Sequence, residues 1–130
     1  MTLLDVDVND AQEPKVVPGD EEYELRILDV TIDNDKNGEP YMLPRFEVVD
    51  EPLAKDFTKF YRLPHQGLDE KQMNRAKWQI KILLETFSLP TSGSLPVEDM
   101  KGCTGWAILG VEENEQWGEQ NYIKKLVKRG

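Results

Sequence analysis

The sequence predicts a mainly β domain in which five strands form a small barrel and one helix lies between the third and fourth strands. Five short segments are rich in strand-forming residues, and several of them alternate apolar with polar positions. One segment, over about residues 69–87, instead repeats its apolar residues at helical spacing. These two patterns define the predicted fold class.

The chain has 130 residues, enough for one domain with a core but not for two. We divide it into an acidic, extended N-terminal arm (residues 1–18) and a barrel domain (residues 19–130). Pro14 and Pro18 interrupt the arm, and its many acidic residues oppose packing. Because apolar residues alternate with acids over residues 4–8, an ordered arm is expected to add to a sheet edge.

The first predicted strand runs from about Glu22 to Ile32 and changes its apolar face near Ile27. The apolar residues occupy odd positions up to Ile27 and even positions beyond it. Such a switch predicts a β-bulge or a strong bend, which small barrels need in order to close. The turn-forming residues 33–38 then predict a hairpin loop.

The second and third predicted strands span about residues 41–49 and 57–63. Alternation along the second strand turns Met42 and Phe46 toward the interior. A short acidic segment ending in a proline separates the two strands, and Pro64 ends the third.

The helix is expected to begin after an N-cap at Asp69 and to end near Phe87. Its apolar stripe is predicted to face the core. The stripe consists of Met73, Ala76, Ile80, Leu83, Leu84 and Phe87. Trp78 and Ile82 lie nearly opposite, among basic residues, and an exposed pair of this kind predicts a cover, either the N-terminal arm or another subunit.

Two further strands are predicted at residues 105–111 and 121–127, with a polar loop over residues 112–120. Trp106, inside the first of them, is expected in the core because its neighbours are apolar. The order of three strands, a helix and two strands is that of an OB-fold barrel. In that fold, ligands usually bind across the second and third strands and the loops joining strands 1–2 and 4–5.

Charge is distributed unevenly along the chain, whose formal net charge is −9. That total favours solubility and argues against a polyanionic ligand. Residues 53–84, however, carry seven bases and three acids, and residues 120–130 carry four bases and no acid. A fold that joins these two basic islands would create a local positive groove.

The composition offers little for catalysis, and we expect neither enzymatic activity nor a cofactor. His65 is the only histidine and Cys103 the only cysteine, which argues against a zinc site and a Cys–His nucleophile. A lone cysteine fits a reducing cytoplasm. No apolar run reaches the roughly 18 residues of a membrane span, and the acidic N-terminus is not expected to be a signal peptide.

The third predicted strand interleaves three aromatic residues with two cations, a pattern suited to stacking on bases and holding phosphates. Alternation turns Phe57 and Leu63 toward the barrel. Phe60 and Arg62 then face a ligand, and Tyr61 is largely buried. We expect at least one of Phe60 and Tyr61 to stack on a base.

Other candidate nucleic-acid contacts are predicted on outer faces and in loops. The basic candidates are Arg26, Arg45, Lys55, Lys59 and Lys124. A surface ion pair is the alternative reading for such cations. Trp117 in the polar loop suits a base-stacking lid, although the neighbouring glutamates repel phosphate.

Several of these features together resemble a phage-encoded family of small OB-fold proteins. They are the Pro-Gly turn, Glu-Tyr and alternating apolar residues of segment 18–27, the Asn-Gly turn at 37–38, segment 46–50, the third strand and the apolar-basic helix. The resemblance covers about residues 18–127. It implies single-stranded DNA binding in phage replication or recombination. Many replicative single-strand binders end in an acidic tail, whereas this chain ends in basic residues.

The leading hypothesis is a non-enzymatic, sequence-tolerant single-stranded DNA-binding protein in the host cytoplasm, whose acidic arm competes with DNA. One alternative is an interaction module in which the Trp78–Ile82 pair binds a phage or host replication or recombination protein. Another is a DNA mimic, given the net charge of −9. Self-association through the helix or the arm is a further expectation.

Overall fold

A single antiparallel sheet and one long helix make up most of the structure, a computed structural model that describes residues 7–129. The strands follow the order β3–β2–β1–β5–β6, and β4 also pairs with β2. In chain order the elements are β1 (Glu21–Asn34), β2 (Pro40–Val48), β3 (Phe57–Thr58), β4 (Tyr61–Arg62), α1 (Glu70–Thr86), α2 (Val97–Met100), β5 (Thr104–Asn114) and β6 (Gly118–Val127). The mainly β class and the position of the long helix are confirmed. Within residues 7–129 the sheet is open, since no strand pairing joins β6 to β3 or β4.

The predicted switch of face in β1 is confirmed as a β-bulge. Ile27 lies opposite Phe46 and Asp29 opposite Arg45, so Leu28 is the extra residue. β1 pairs with β2 on both sides of the bulge but with β5 only through residues 21–26. The bulge therefore lies close to the point at which β1 loses one of its two neighbours.

The third predicted strand is split into the two-residue segments β3 and β4, so the prediction of one continuous strand was wrong. Both segments pair with β2 in the same register. Between them the Lys59 N–H donates to the Pro44 carbonyl, but Pro44 has no N–H to donate in return. The alternation of faces survives this gap, because Phe57 and Tyr61 are both buried.

The long helix follows its local sequence signals. The Asp69 carboxylate accepts the Gln72 N–H, and the Gln72 side chain accepts the Asp69 N–H, which forms a capping box. The predicted apolar stripe faces the core, with Leu83 fully buried. At the far end, a Cβ on Gly105 would lie 2.9 Å from the Thr86 carbonyl oxygen, so glycine permits this close packing against β5.

The polar segment predicted as a loop is mostly strand. β5 continues to Asn114 and β6 begins at Gly118, so the two strands form a long hairpin with a tight turn. The Asn114 side chain accepts the N–H groups of Gln116 and Trp117 in that turn. All residues from 111 to 119 are exposed, which explains why a paired strand here contains so many charged residues.

Trp106 lies outside the core, contrary to expectation. It is half-buried on the outer face of β5, and the Arg129 guanidinium carbon lies 3.7 Å from the centre of its ring. Arg129 also pairs with Glu22 at 3.0 Å. The tryptophan thus holds the C-terminal segment against the sheet through a cation–π contact.

The described part of the N-terminal arm, residues 7–18, is anchored near its end. Lys15 forms an isolated parallel bridge with Ala54, and Val17 belongs to the core. The buried Asn121 side chain accepts the Val17 N–H and donates to the carbonyls of Val17 and Gly110. The edge strand expected near residues 4–8 falls largely on residues 1–6, outside the described range.

Replacing Asn121 with alanine is expected to lower the free energy of unfolding by about 1–3 kcal/mol, because buried backbone groups lose their partner. The arm should also become more sensitive to limited proteolysis. Urea denaturation and proteolysis measure the two effects. Gln120→Ala is the matched control, since that side chain donates only to the exposed Trp117 carbonyl. Equal stability of the two variants would contradict the prediction.

Candidate nucleic-acid interface

A stacked pair of aromatic rings, an exposed Phe60 and a half-buried Tyr41, lies on the outer face of the sheet. Phe60 is 55% exposed, and its ring stacks on Tyr41 with 5.4 Å between centroids and 27° between planes. Tyr41 lies opposite Arg62 in the pairing of β2 with β4. We call Tyr41 and Phe60 the aromatic platform. It offers an open ring face of the kind on which an unpaired base stacks.

A cleft of about 260 Å³ adjoins the aromatic platform and separates β4 from α1. We call it the arginine cleft. Its lining residues are Phe60, Arg62, Gln72, Arg75, Ala76 and Gln79. Neither Arg62 nor Arg75 forms an ion pair with any residue in the range 7–129. Two guanidinium groups without a carboxylate partner in the described chain therefore lie next to an exposed ring.

A second cleft, of about 210 Å³, is lined by residues of both basic islands. We call it the lysine cleft. It is lined by Lys59, Tyr61, Trp78, Gln79, Ile82, Ile123, Lys124, Lys125 and Leu126. Gln79 lines both clefts, so they adjoin along α1. Together they form one basic surface in a chain that is acidic overall.

Tyr61 does not present a ring face to solvent. It is 1% exposed, and its hydroxyl has no hydrogen-bond partner within the described chain. Burial raises the pKa of Tyr61, so the hydroxyl stays protonated at any physiological pH. The Lys59 ammonium lies 5.3 Å from the centre of the ring. Phe60, rather than Tyr61, is therefore the ring of this strand that is open to stacking.

The two arginines predicted on outer strand faces both form ion pairs. Arg26 contacts Glu47 at 2.9 Å, and Arg45 contacts Asp29 at 2.7 Å and Asp56 at 2.9 Å. The hydrogen bond from Arg45 lowers the pKa of Asp29. Neither arginine lines the arginine cleft or the lysine cleft. Each would have to exchange a carboxylate for a phosphate in order to bind DNA.

The remaining sequence candidates divide between the clefts and the hairpin turn. The Lys55 ammonium donates to the carbonyls of Trp117 and Glu119, which ties the β2–β3 connection to the β5–β6 turn. Trp117 is 64% exposed there, and neither Lys55 nor Trp117 lines either cleft. Lys124 lines the lysine cleft and forms an ion pair with Asp20.

The Trp78–Ile82 pair forms one wall of the lysine cleft. Trp78 is 57% exposed, Ile82 is half-buried, and the Lys81 ammonium lies 5.7 Å from the centre of the indole. No segment of residues 7–18 covers the cleft lining, which comes entirely from β4, α1, β6 and Lys59, the residue that follows β3. The expected cover is thus not supplied by the described part of the arm.

Two residues of this surface were missed by sequence reasoning. Tyr41 alternates with the inward-facing Met42, but its stacking on Phe60 depends on the register between β2 and the third strand. Arg75 lies outside the apolar stripe of the helix, but its place beside Arg62 depends on how α1 packs. The missed signal at Arg75 was its membership of the first basic island.

Neither a metal site nor a membrane-spanning helix is found among residues 7–129. No cluster of histidine, cysteine, aspartate and glutamate in that range is placed to hold a metal ion. No helix in the described chain is long and apolar enough to cross a membrane. The chain matches no protein-family model and no curated protein. The geometry of the two clefts is therefore the basis for a functional proposal.

Proposed function

We propose that the protein binds single-stranded DNA, with little sequence preference, across the aromatic platform and the arginine cleft. The observation that carries the proposal is the exposed Phe60 ring, stacked on Tyr41 and next to Arg62 and Arg75, which have no ion-pair partner among residues 7–129. Stacked aromatic rings bind bases of any identity, and adjacent cations hold the phosphates. No catalytic step is part of this function.

The local charge supports a polyanionic ligand despite the net charge of −9. The solvent-facing side of α1 carries Lys71, Arg75, Lys77 and Lys81, and none of these pairs with a carboxylate in the described range. The lysine cleft extends this basic surface toward β6. Clustered positive charge on one face attracts nucleic acid even when other faces are acidic.

We also propose that the sheet is a variant of the OB-fold barrel. The element order, the bulged first strand and the lysine cleft shared by β4 and β6 support it. In this fold the second and third strands form the usual binding face, which is where Tyr41 and Phe60 lie. Combined with the resemblance over residues 18–127, this suggests a role in phage DNA replication or recombination.

Titration of the intact protein with fluorescently labelled oligo-dT tests the proposed function. We expect micromolar or tighter binding at low salt, because stacking and phosphate contacts act together. The affinity should fall as salt rises, since each phosphate contact on a single strand contributes a slope of about −0.7 in log K against log salt concentration. Failure to bind at low salt would refute the proposal.

Replacing both Arg62 and Arg75 with alanine is expected to flatten the salt dependence. If each arginine neutralises one phosphate, the slope should become less negative by about 1.4. Parallel titrations over a salt series measure it. Lys101→Ala is the control, because Lys101 is exposed and lines neither cleft. An unchanged slope in the double variant would remove both arginines from the interface.

A second candidate function is the docking of a replication or recombination protein. The exposed Trp78 favours it, as does an apolar groove of about 450 Å³ on the same helix, lined in part by Leu63, Ile80, Leu84 and Leu95. Self-association through α1 would use the same residues. Sedimentation of the intact protein with and without oligo-dT distinguishes a monomeric DNA binder from an oligomer that buries Trp78.

A further inference from the structure

We propose that the lysine cleft is a pocket for one unstacked base of the bound strand, and that the Tyr61 hydroxyl hydrogen-bonds the edge of that base. The pocket adds a base preference to a binder that is otherwise sequence-tolerant. This inference rests on the proposed function, because the strand must first be held on the adjoining arginine cleft.

The walls of the lysine cleft are suited to a flat aromatic ligand. Trp78 and Ile82 approach from α1, and Ile123 and Leu126 approach from β6. A nucleobase has apolar faces and a polar edge, so apolar walls bury its faces while a polar group deeper in the site meets its edge. The exposure of Trp78 in the free protein then has a reason, since the indole is covered only when a base enters.

Tyr61 provides the polar group. Its side chain lines the cleft, is 1% exposed, and has a hydroxyl with no partner within the described chain. Buried polar atoms are almost always hydrogen-bonded, so the orphaned hydroxyl of a residue that lines the cleft is a group with which a ligand atom can complete the bond. The hydroxyl itself has almost no accessible surface in the free protein, so the ring must turn toward the cleft as a base enters. Burial raises the pKa of Tyr61, which keeps the hydroxyl available as a donor.

The charges around the cleft suit the phosphate that accompanies a base. Lys59, Lys124 and Lys125 contribute to its lining, and no carboxylate does so within residues 7–129. Lys124 forms an ion pair with Asp20, which a phosphate can replace. An apolar slot with cations and without carboxylates fits a nucleotide better than it fits a neutral apolar peptide.

The shared Gln79 connects the pocket to the rest of the interface. Its side chain is exposed and lines both clefts. Phe60 and Lys59 are adjacent in sequence but belong to different clefts, so the strand segment 59–62 separates them. A DNA strand stacked on Phe60 can thus direct its next base across this segment into the lysine cleft.

The test compares the affinities of oligo-dA, oligo-dC and oligo-dT for the intact wild-type protein and for Tyr61→Phe. We expect wild type to favour one of the three by about tenfold, the discrimination of one buried hydrogen bond. Tyr61→Phe should lose that preference and keep the affinity for the least favoured oligonucleotide. Its melting temperature should not fall, because the hydroxyl has no partner in the described chain to lose.

Phe60→Ala is the companion variant. We expect it to lower the affinity for all three oligonucleotides by the same factor, so that the preference for one base remains. Equal wild-type affinity for the three, or a preference that Tyr61→Phe retains, would overturn the base pocket and leave the proposed function standing. Loss of the preference only in a Tyr61→Phe variant that also unfolds at lower temperature would likewise count against it. Absence of wild-type binding to any oligonucleotide would overturn both proposals.

Discussion

Phe60→Ala is expected to weaken binding of oligo-dT by about 5- to 150-fold, which corresponds to the loss of about 1–3 kcal/mol of base stacking. The ring is 55% exposed and stacks on Tyr41. Fluorescence titration at one fixed low salt concentration measures the change. Unaltered affinity would show that the aromatic platform does not hold DNA.

The structure supplies a matched control for this substitution. Leu53 is 51% exposed and lies outside both clefts. Its replacement with alanine removes exposed apolar surface, as Phe60→Ala does, but at a site away from the platform. Neither variant should change the free energy of unfolding by more than about 0.5 kcal/mol, since exposed substitutions rarely do. A weakened Phe60→Ala variant beside an unaffected Leu53→Ala variant would therefore locate the effect at the platform.

Salt dependence separates the ring from the arginines. Phe60 carries no charge, so its removal should lower the affinity at every salt concentration and leave the slope of log K unchanged. Loss of Arg62 and Arg75 should change the slope itself, because fewer counterions are displaced. If Phe60→Ala altered the slope, the bound DNA would contact a different number of cations. The ring would then serve to position the DNA on the surface.

Phe46→Ala is expected to lower the free energy of unfolding by about 3–5 kcal/mol. Phe46 is fully buried, and its ring lies 5.5 Å from that of Phe57 and 5.8 Å from that of Phe87. It therefore joins β2 to β3 and to the end of α1. A domain of this size is stable by about 5–15 kcal/mol, so the loss removes a large share of the total.

Urea denaturation followed by circular dichroism measures this effect. Ile32→Ala is the control, because Ile32 lies beyond the bulge of β1 and is 45% exposed. Phe46→Leu should recover much of the lost stability, since it keeps an apolar side chain of larger volume than alanine. A loss below about 1 kcal/mol in Phe46→Ala would show that β2, β3 and α1 do not share one packed core.

Features with local causes were predictable from the sequence. The bulge near Ile27 follows from a switch in apolar phase, and the start of α1 follows from Asp69 and Gln72 in a capping box. The exposure of Phe60 and the burial of Tyr61 follow from alternation along one strand. Each of these depends on residues within a few positions of each other.

Features that depend on a partner strand were not predictable in the same way. The third strand is interrupted at Lys59. Its N–H donates to the carbonyl of Pro44 on β2, but Pro44 has no N–H with which to donate a second hydrogen bond in return. The polar hairpin around residues 112–120 is a strand pair because backbone bonding holds it, although its side chains are exposed and charged. Trp106 is outside because Ala107 and Leu109, on the opposite face of β5, pack into the core, and an apolar strand does not reveal in its sequence which of its faces does so.

The candidate site shows the same division. Alternation alone assigned Phe60 and Arg62 to the ligand side, whereas the place of Tyr41 and Arg75 beside them required the strand register and the packing of α1. The ion pairs of Arg26 and Arg45 arise from carboxylates 16 to 21 residues away on a neighbouring strand and from one 11 residues away in the following connection. Their reduced availability to phosphate could therefore be judged only in the folded chain.

The sequence by itself determined which side chains share a strand or helix face, because period and caps are local properties. It also determined that the segments with a net positive charge are residues 53–84 and 120–130. Only the tertiary structure decided that Lys59 and Lys125 line one cleft, and that the hydroxyl of Tyr61, which lines the same cleft, is left without a partner in the described chain. The reason is physical: groups more than sixty residues apart in the sequence are brought together by the packing of β4, α1 and β6.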